Sequence, residues 1–178
     1  MNIVITIIIN IRKMKNRFIV ANDAFHYYHE EILKNGVEFD NTKTLFNIGF
    51  TIERPMINTI SDSSDVKRNW KEDYAEIWST MTDGKGNVNS NYGWQWIRGR
   101  QLDRVITMLK NNSNTRQAAI SIYDGKEIND YDNDTPCTYA VQFTVLNNKL
   151  NMCVVMRSND LWYGFCNDQY CFSNLQVL

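Results

Sequence analysis

The residues with the clearest chemical capacity lie in the last quarter of the chain. Thr135-Pro-Cys-Thr-Tyr-Ala-Val-Gln-Phe143 delivers a cysteine into the start of a predicted strand, and Met156-Arg-Ser-Asn-Asp160 closes the strand that follows. A thiol near an arginine is a candidate nucleophile, because a nearby positive charge favours the thiolate. Arg157 and Ser158 together also suit a phosphate, offering a planar donor fork and one extra hydroxyl. The chemistry suggested is covalent attack by Cys137 on a small anionic substrate.

The elements that must hold these groups are legible around them. Thr138 to Leu146 is rich in β-branched and aromatic residues, Asn147-Asn148 is a hairpin signal, and Lys149 to Met156 is the return strand. Residues 22–35 read as a helix capped by Asn22 or Asp23, with Phe25, Tyr28, Ile32 and Leu33 on one face and Gly36 as its stop. Residues 43–52 read as a strand, 61–65 as a loop, 70–80 as a helix and 81–91 as a loop. Tyr92-Gly-Trp-Gln-Trp96 reads as an aromatic turn. Residues 101–111 form an amphipathic helix through Leu102, Val105, Ile106 and Leu109. Residues 117–123 are a strand, 124–134 a solvated acidic loop, and the last helix is expected from near Asp168 to Leu178. Helices in the first half and at the end, with strands in the second half, give an α+β class: a large mixed sheet with helices packed on one face.

Composition narrows the function classes. The chain has 178 residues, 43% of them hydrophobic, enough for one domain with a sizeable core. With 19 Lys+Arg against 20 Asp+Glu, no basic excess points to DNA or RNA as a substrate. The apolar run 3–11 is too short to span a membrane, and its basic residues follow it rather than precede it, unlike a secretory signal. It reads as an N-terminal strand or as an extension foreign to the fold. Cys137, Cys153, Cys166 and Cys171 form no CxxC pair, which fits a reduced, cytoplasmic compartment. His26 and His29 stand three apart on the first helix with no third metal ligand in view, so no metal site is expected. The two glycines of 81–91 lack P-loop spacing.

Pro136-Cys137, Gln142-Phe143 and Arg157-Ser158-Xaa-Asp160 with Gly164 following fall in an order that resembles thymidylate synthase and its relative deoxycytidylate (dCMP) hydroxymethylase. The resemblance runs from about Asn22 to Gln176, making residues 21–178 the family-like domain and 1–20 an extension ahead of it. It implies a homodimer that transfers a one-carbon unit from 5,10-methylenetetrahydrofolate to carbon 5 of a pyrimidine deoxynucleoside monophosphate. A DNA cytosine methyltransferase also uses a Pro-Cys nucleophile, but this chain has no glycine-rich cofactor loop after a strand.

The resemblance assigns roles residue by residue. Cys137 is the nucleophile, and Cys153, Cys166 and Cys171 are structural. Tyr92, in Ser90-Asn-Tyr-Gly-Trp94, helps remove the ring proton. Arg157 and Ser158 bind the phosphate, and Arg116 reaches the phosphate of the neighbouring subunit, although Gln117 stands where the family has a second arginine. Asp160 faces the folate, and Trp78 stacks on it. Asp168 falls where thymidylate synthases place asparagine. Asparagine matches uracil, whereas a carboxyl group accepts from the exocyclic amine of cytosine, so Asp168 tilts the substrate toward dCMP. Two alternatives stay open there: Asn167 as the base reader if the register shifts by one, and Asp168 as a helix N-cap.

Some family parts have no clear counterpart. The early catalytic glutamate falls in a shortened region, where Glu76 is the nearby candidate. The family also continues into a histidine–tyrosine segment and a closing C-terminus beyond the point matching Leu178, so a truncated domain is expected: a fragment, a catalytically impaired nucleotide-binding remnant, or half of a split enzyme.

Overall fold

The computed structural model describes residues 14–56, 92–125 and 135–177. The expectations for 3–11, 61–65, 70–80 and 81–91, most of the acidic loop, and the residues Glu76 and Trp78 lie outside the described residues. The chain divides into two compact units, residues 1–67 and 68–178.

In the first unit, strand β1 (Arg17–Phe18) leads into helix α1 (Ala21–Asn35). The buried positions Ala21, Ala24, Phe25 and Tyr28 recur at three- and four-residue spacing, so one stripe of the helix faces the core. Leu33, expected on that stripe, is exposed. The cap also differs from expectation: Val20 holds the N-cap position in extended backbone with no side-chain bond, and Asp23 lies inside the first turn, where its charge meets the helix dipole. Gly36 ends the helix by donating its N–H to Ile32 O at 2.9 Å, so closely that an added Cβ would overlap that oxygen. His26 and His29 flank the Phe25 ring, and no metal-holding cluster occurs among the described residues.

The single strand expected over 43–52 is two strands. Strand β2 (Val37–Phe39) pairs with β3 (Thr42–Thr44) as a hairpin, turning through Asp40 and Asn41 in left-handed backbone. Strand β4 (Thr51–Ile52) instead runs parallel to β1. Asn47, at φ 57°, breaks the run between them.

The second unit carries the candidate site. Helix α2 (Tyr92–Ile97) stands where a turn was expected. Tyr92 and Trp96, four apart, are both buried, and this packing outweighs the poor helix propensity of glycine and aromatic residues. A 3-10 turn (Arg98–Arg100) joins it to α3 (Gln101–Asn111), which has the expected bounds. Strands β5 (Ala119–Ser121), β6 (Thr138–Leu146) and β7 (Lys149–Met156) form an antiparallel sheet in sequence order. The β6–β7 hairpin turns through Asn147 and Asn148, both in left-handed backbone (φ 52° and 57°), which the asparagine pair tolerates well. A turn of π type (Leu161–Phe165) then leads into α4 (Cys166–Val177).

Alternation along the strands sends Ile120, Val141 and Phe143 to one face, where they join Tyr92, Trp96, Val105, Cys171 and Phe172 in a single core. Gln142, Thr144, Cys153 and Val155 alternate to the opposite, exposed face. Cys153, expected to be structural from its place in the strand, lies on this exposed face. Gln101 splices α3 to the edge of β5: its side-chain amide accepts from Ser121 N–H at 2.9 Å and donates to Ser121 O at 3.0 Å, and Nε2 also reaches Gln95 O. That ties the sheet edge to the end of α2, and so to Tyr92.

Candidate active site

Cys137 sits at the entry to β6, partly exposed, between buried Pro136 and buried Thr138. Three hydrogen bonds hold the backbone around it. Its N–H donates to Tyr92 Oη at 3.2 Å, and its carbonyl accepts from Arg157 N–H at 2.8 Å. Arg157 Nη2 also donates to Thr135 O at 2.8 Å. The hairpin explains this proximity, because Thr138 pairs with Met156 and so brings the end of β7 to the start of β6. Arg157 thus grips the cysteine loop at two points, and its cation stands beside the segment that carries the thiol.

Tyr92 reaches this loop from α2, with its ring stacked on Phe172 of α4 at 6.0 Å. Burial, and then the charge of Asp168, push its phenol well above the ordinary value of 10. The hydroxyl is therefore a neutral group throughout the physiological range. It can accept the Cys137 N–H and orient a proton, but it is not a resting phenolate.

Asp168 and Asn167 lie in the first turn of α4, buried at 5% and 2% exposure. Asp168 is inside the helix and not at its N-cap, which removes the capping alternative. A buried carboxylate is costly unless hydrogen-bonded. Asn159 Nδ2 donates to Asp168 Oδ2 at 3.4 Å, and the start of α4 adds a favourable dipole. The same charge acts on a thiol of its own helix: burial, and then Asp168, push Cys171 up to about 12. Cys166 is also buried, with its thiol on Leu161 O.

Tyr92, Cys137, Arg157 and Asp168 thus form one neighbourhood. Ser158 and Asp160 lie exposed just beyond β7. Arg116 does not join them. It sits before β5 in an open surface depression with Asn112, Asn114, Thr115 and Gln117, and its carbonyl accepts from Gln142. Gln142 is five residues along β6 from Cys137, so Arg116 faces a part of the sheet roughly 17 Å away at about 3.4 Å per residue.

Sequence reasoning passed over Asn159 and the buried pair Gln169–Ser173, whose side chains bond at 2.8 Å within α4. The signal was present: polar residues four apart inside a stretch also carrying Cys166, Cys171 and Phe172 mark a helix buried on its polar side.

The fold is that of the thymidylate synthases: it matches the thermostable thymidylate synthase A of Bacillus subtilis with a TM-score of 0.58 over 89% of this chain and 72% of that one, at 19% identity. The thymidylate synthase family model matches residues 11–178, and the chain belongs to that family. Among curated relatives it is 38% identical over 159 residues to the deoxycytidylate 5-hydroxymethyltransferases of Enterobacteria phages T4 and T2. It is 28% identical over 135 residues to the thymidylate synthase of Clostridium beijerinckii. The alignments cover 84% and 75% of this chain but 56% and 51% of those proteins, so the chain spans about half the length of the curated relatives it matches.

Proposed function

We propose that the chain carries the catalytic core of a pyrimidine deoxynucleotide C5 one-carbon transferase acting on dCMP, with 5-hydroxymethyl-dCMP as product. The observation that carries the reading is the convergence of a partly exposed Cys137, the arginine gripping its loop, a neutral buried Tyr92 and a buried carboxylate at Asp168.

Carbon 5 of a pyrimidine is too weak a nucleophile alone. Addition of the Cys137 thiolate to carbon 6 breaks the 5,6 double bond and makes carbon 5 an enamine carbon, which splits one hard step into two easier ones. Arg157, with Ser158, binds the phosphate and keeps positive charge beside the thiolate. Carbon 5 would bond to the one-carbon unit and then lose its proton along a route that Tyr92 orients; the folate nitrogen would leave with the C–N electron pair, water would add to the exocyclic carbon as the hydroxyl, and the Cys137 thiolate would be expelled as the 5,6 double bond re-forms. Asp168 accepts from the exocyclic amine of cytosine, with Asn167 buried beside it. The one-carbon unit comes from 5,10-methylenetetrahydrofolate, whose ring N–H donors suit the exposed carboxylate of Asp160. Trp78 as a stacking surface for the folate and Glu76 as a proton carrier complete the same reading.

A homodimer joined through the exposed sheet face is part of the same reading, with Arg116, in a surface depression before β5, reaching the phosphate of the neighbouring subunit. Residues 21–178 are the domain that does this work, in a cytoplasmic setting. No helix among the described residues is long and apolar enough to cross a membrane.

Release of tritium from 5-tritiated dCMP in the presence of the folate tests the reading. Cys137-dependent release supports it, and faster release from dUMP would make the chain a thymidylate synthase. Nucleotide binding with no release from either substrate would overturn turnover and leave a binding protein.

A further inference from the structure

Thr138 is out of step with its own strand. Val141 and Phe143 face the core, so strict alternation along β6 would send Thr138 to the exposed face with Gln142. Thr138 is instead completely buried. The register explains this: Thr138 pairs with Met156 and Ala140 with Val155, so Tyr139 is the extra residue of a bulge. A bulge re-aims the side chain beside it, and such irregularities recur next to active sites. Here the re-aimed group is a hydroxyl one residue after Cys137.

That hydroxyl is costly where it stands. Thr138 Oγ1 is buried and has no hydrogen-bond partner among the described residues. A valine of the same shape would fill the space without an unmade bond. Tyr92 Oη lies alongside, since it accepts the N–H of Cys137, the preceding residue, at 3.2 Å. The Thr138 hydroxyl also draws the Tyr92 phenol down, against the larger upward push of burial and of Asp168. Two buried hydroxyls therefore stand together at the cysteine loop. Hydrogen bonds that serve a reaction are often long or poorly aligned before substrate enters and tighten once it is bound.

We propose that Thr138 is a positioning residue for the proton step: its hydroxyl engages Tyr92 Oη in the substrate complex and holds that oxygen on the route of the carbon 5 proton. No proton passes from carbon 5 to Thr138 itself. This rests on the reading of Cys137 and Tyr92 given above.

The test compares two steps in the full chain carrying Thr138→Val, which loses the hydroxyl, or Thr138→Ser, which keeps it. Tritium release from a 5-tritiated nucleotide requires the carbon 5 proton to leave. Formation of the Cys137 adduct with the 5-fluoro analogue of the same nucleotide and the folate does not. Thr138→Val should slow release at saturating nucleotide about tenfold, the size of one hydrogen bond at a reacting group, with KM and the adduct rate within about twofold of wild type. Thr138→Ser should retain most of the release. In the Tyr92→Phe background, Thr138→Val should add no further loss, because no phenol oxygen remains to be held. A merely structural role would move release and adduct formation together, and thermal midpoints report folding separately. Unchanged release in Thr138→Val, a parallel fall in its adduct rate, or an equal loss in the Tyr92→Phe background overturns the inference while wild-type release leaves the proposed reaction standing. A wild-type chain that releases no tritium from dCMP or dUMP overturns both.

Discussion

Two thiols lie close to the same buried carboxylate neighbourhood, and their surroundings differ in every term that sets reactivity. Cys137 is partly exposed at a strand entry, on a loop whose carbonyls are taken by Arg157. Cys171 is buried in α4, one turn beyond Asp168, and is held up to about 12. Burial withholds the thiolate from Cys171, whereas the hairpin geometry sets a cation and an open approach beside Cys137. Distance from the site does not decide which cysteine can attack; solvation and the sign of the neighbouring charge do.

The largest expected effect follows directly. Cys137→Ala should abolish tritium release, while Cys171→Ala should leave it within about threefold, since removing a buried sulfur mainly costs about 1 kcal/mol of stability. Equal losses in the two variants would erase the contrast. Arg157→Ala should come next. It would remove both the proposed phosphate contact and the grip on Thr135, and a loss of about 1.5–3 kcal/mol predicts a drop of about tenfold to about 150-fold in kcat/KM. Arg157→Lys should recover only part of this, because an ammonium cannot reproduce the planar fork.

Tyr92→Phe keeps the ring on Phe172 but leaves the Cys137 N–H without its phenolic acceptor. About 1–3 kcal/mol is at stake, enough to slow turnover about fivefold to about 150-fold while substrate affinity changes little. The smallest effect is a pH signature. An unfolded thiol ionises near the ordinary value of 9, but buried Cys171 keeps its proton to about 12, so its contribution to stability is full below 9 and is lost as pH rises toward 12. Cys171→Ala should flatten the fall in the denaturant midpoint between pH 9 and 10, before the buried tyrosines add their own decline.

The same contrast marks how far the sequence could be read. Strands β6 and β7 and helix α3 have the predicted bounds, because each carries an unbroken period of two or 3.6 and a clear turn signal at its end. The pattern failed where packing overrode it: Tyr92–Ile97 is helical despite its glycine and tryptophans, and the run 43–52 is broken by the left-handed Asn47. β5 is shorter than its apolar run because Ile122 and Tyr123 both donate to Tyr139 O beside an irregular register in β6. Cys137, Arg157 and Asp168 were visible as motif residues, but their surroundings were not. The Tyr92–Cys137 bond spans 45 residues, and Asn159 reaches Asp168 only because the intervening turn folds back over Gly164.

The proposed reaction turns on attack by Cys137 at carbon 6 of a cytosine nucleotide. Incubation with 5-fluoro-dCMP or 5-fluoro-dUMP and the folate, followed by mass spectrometry of the intact and digested chain, tests it most directly. Fluorine at carbon 5 cannot leave as a proton does, so the adduct is trapped. A covalent adduct on Cys137 is expected, formed preferentially with the cytosine analogue. An adduct on any other cysteine, or none with either analogue, would contradict it.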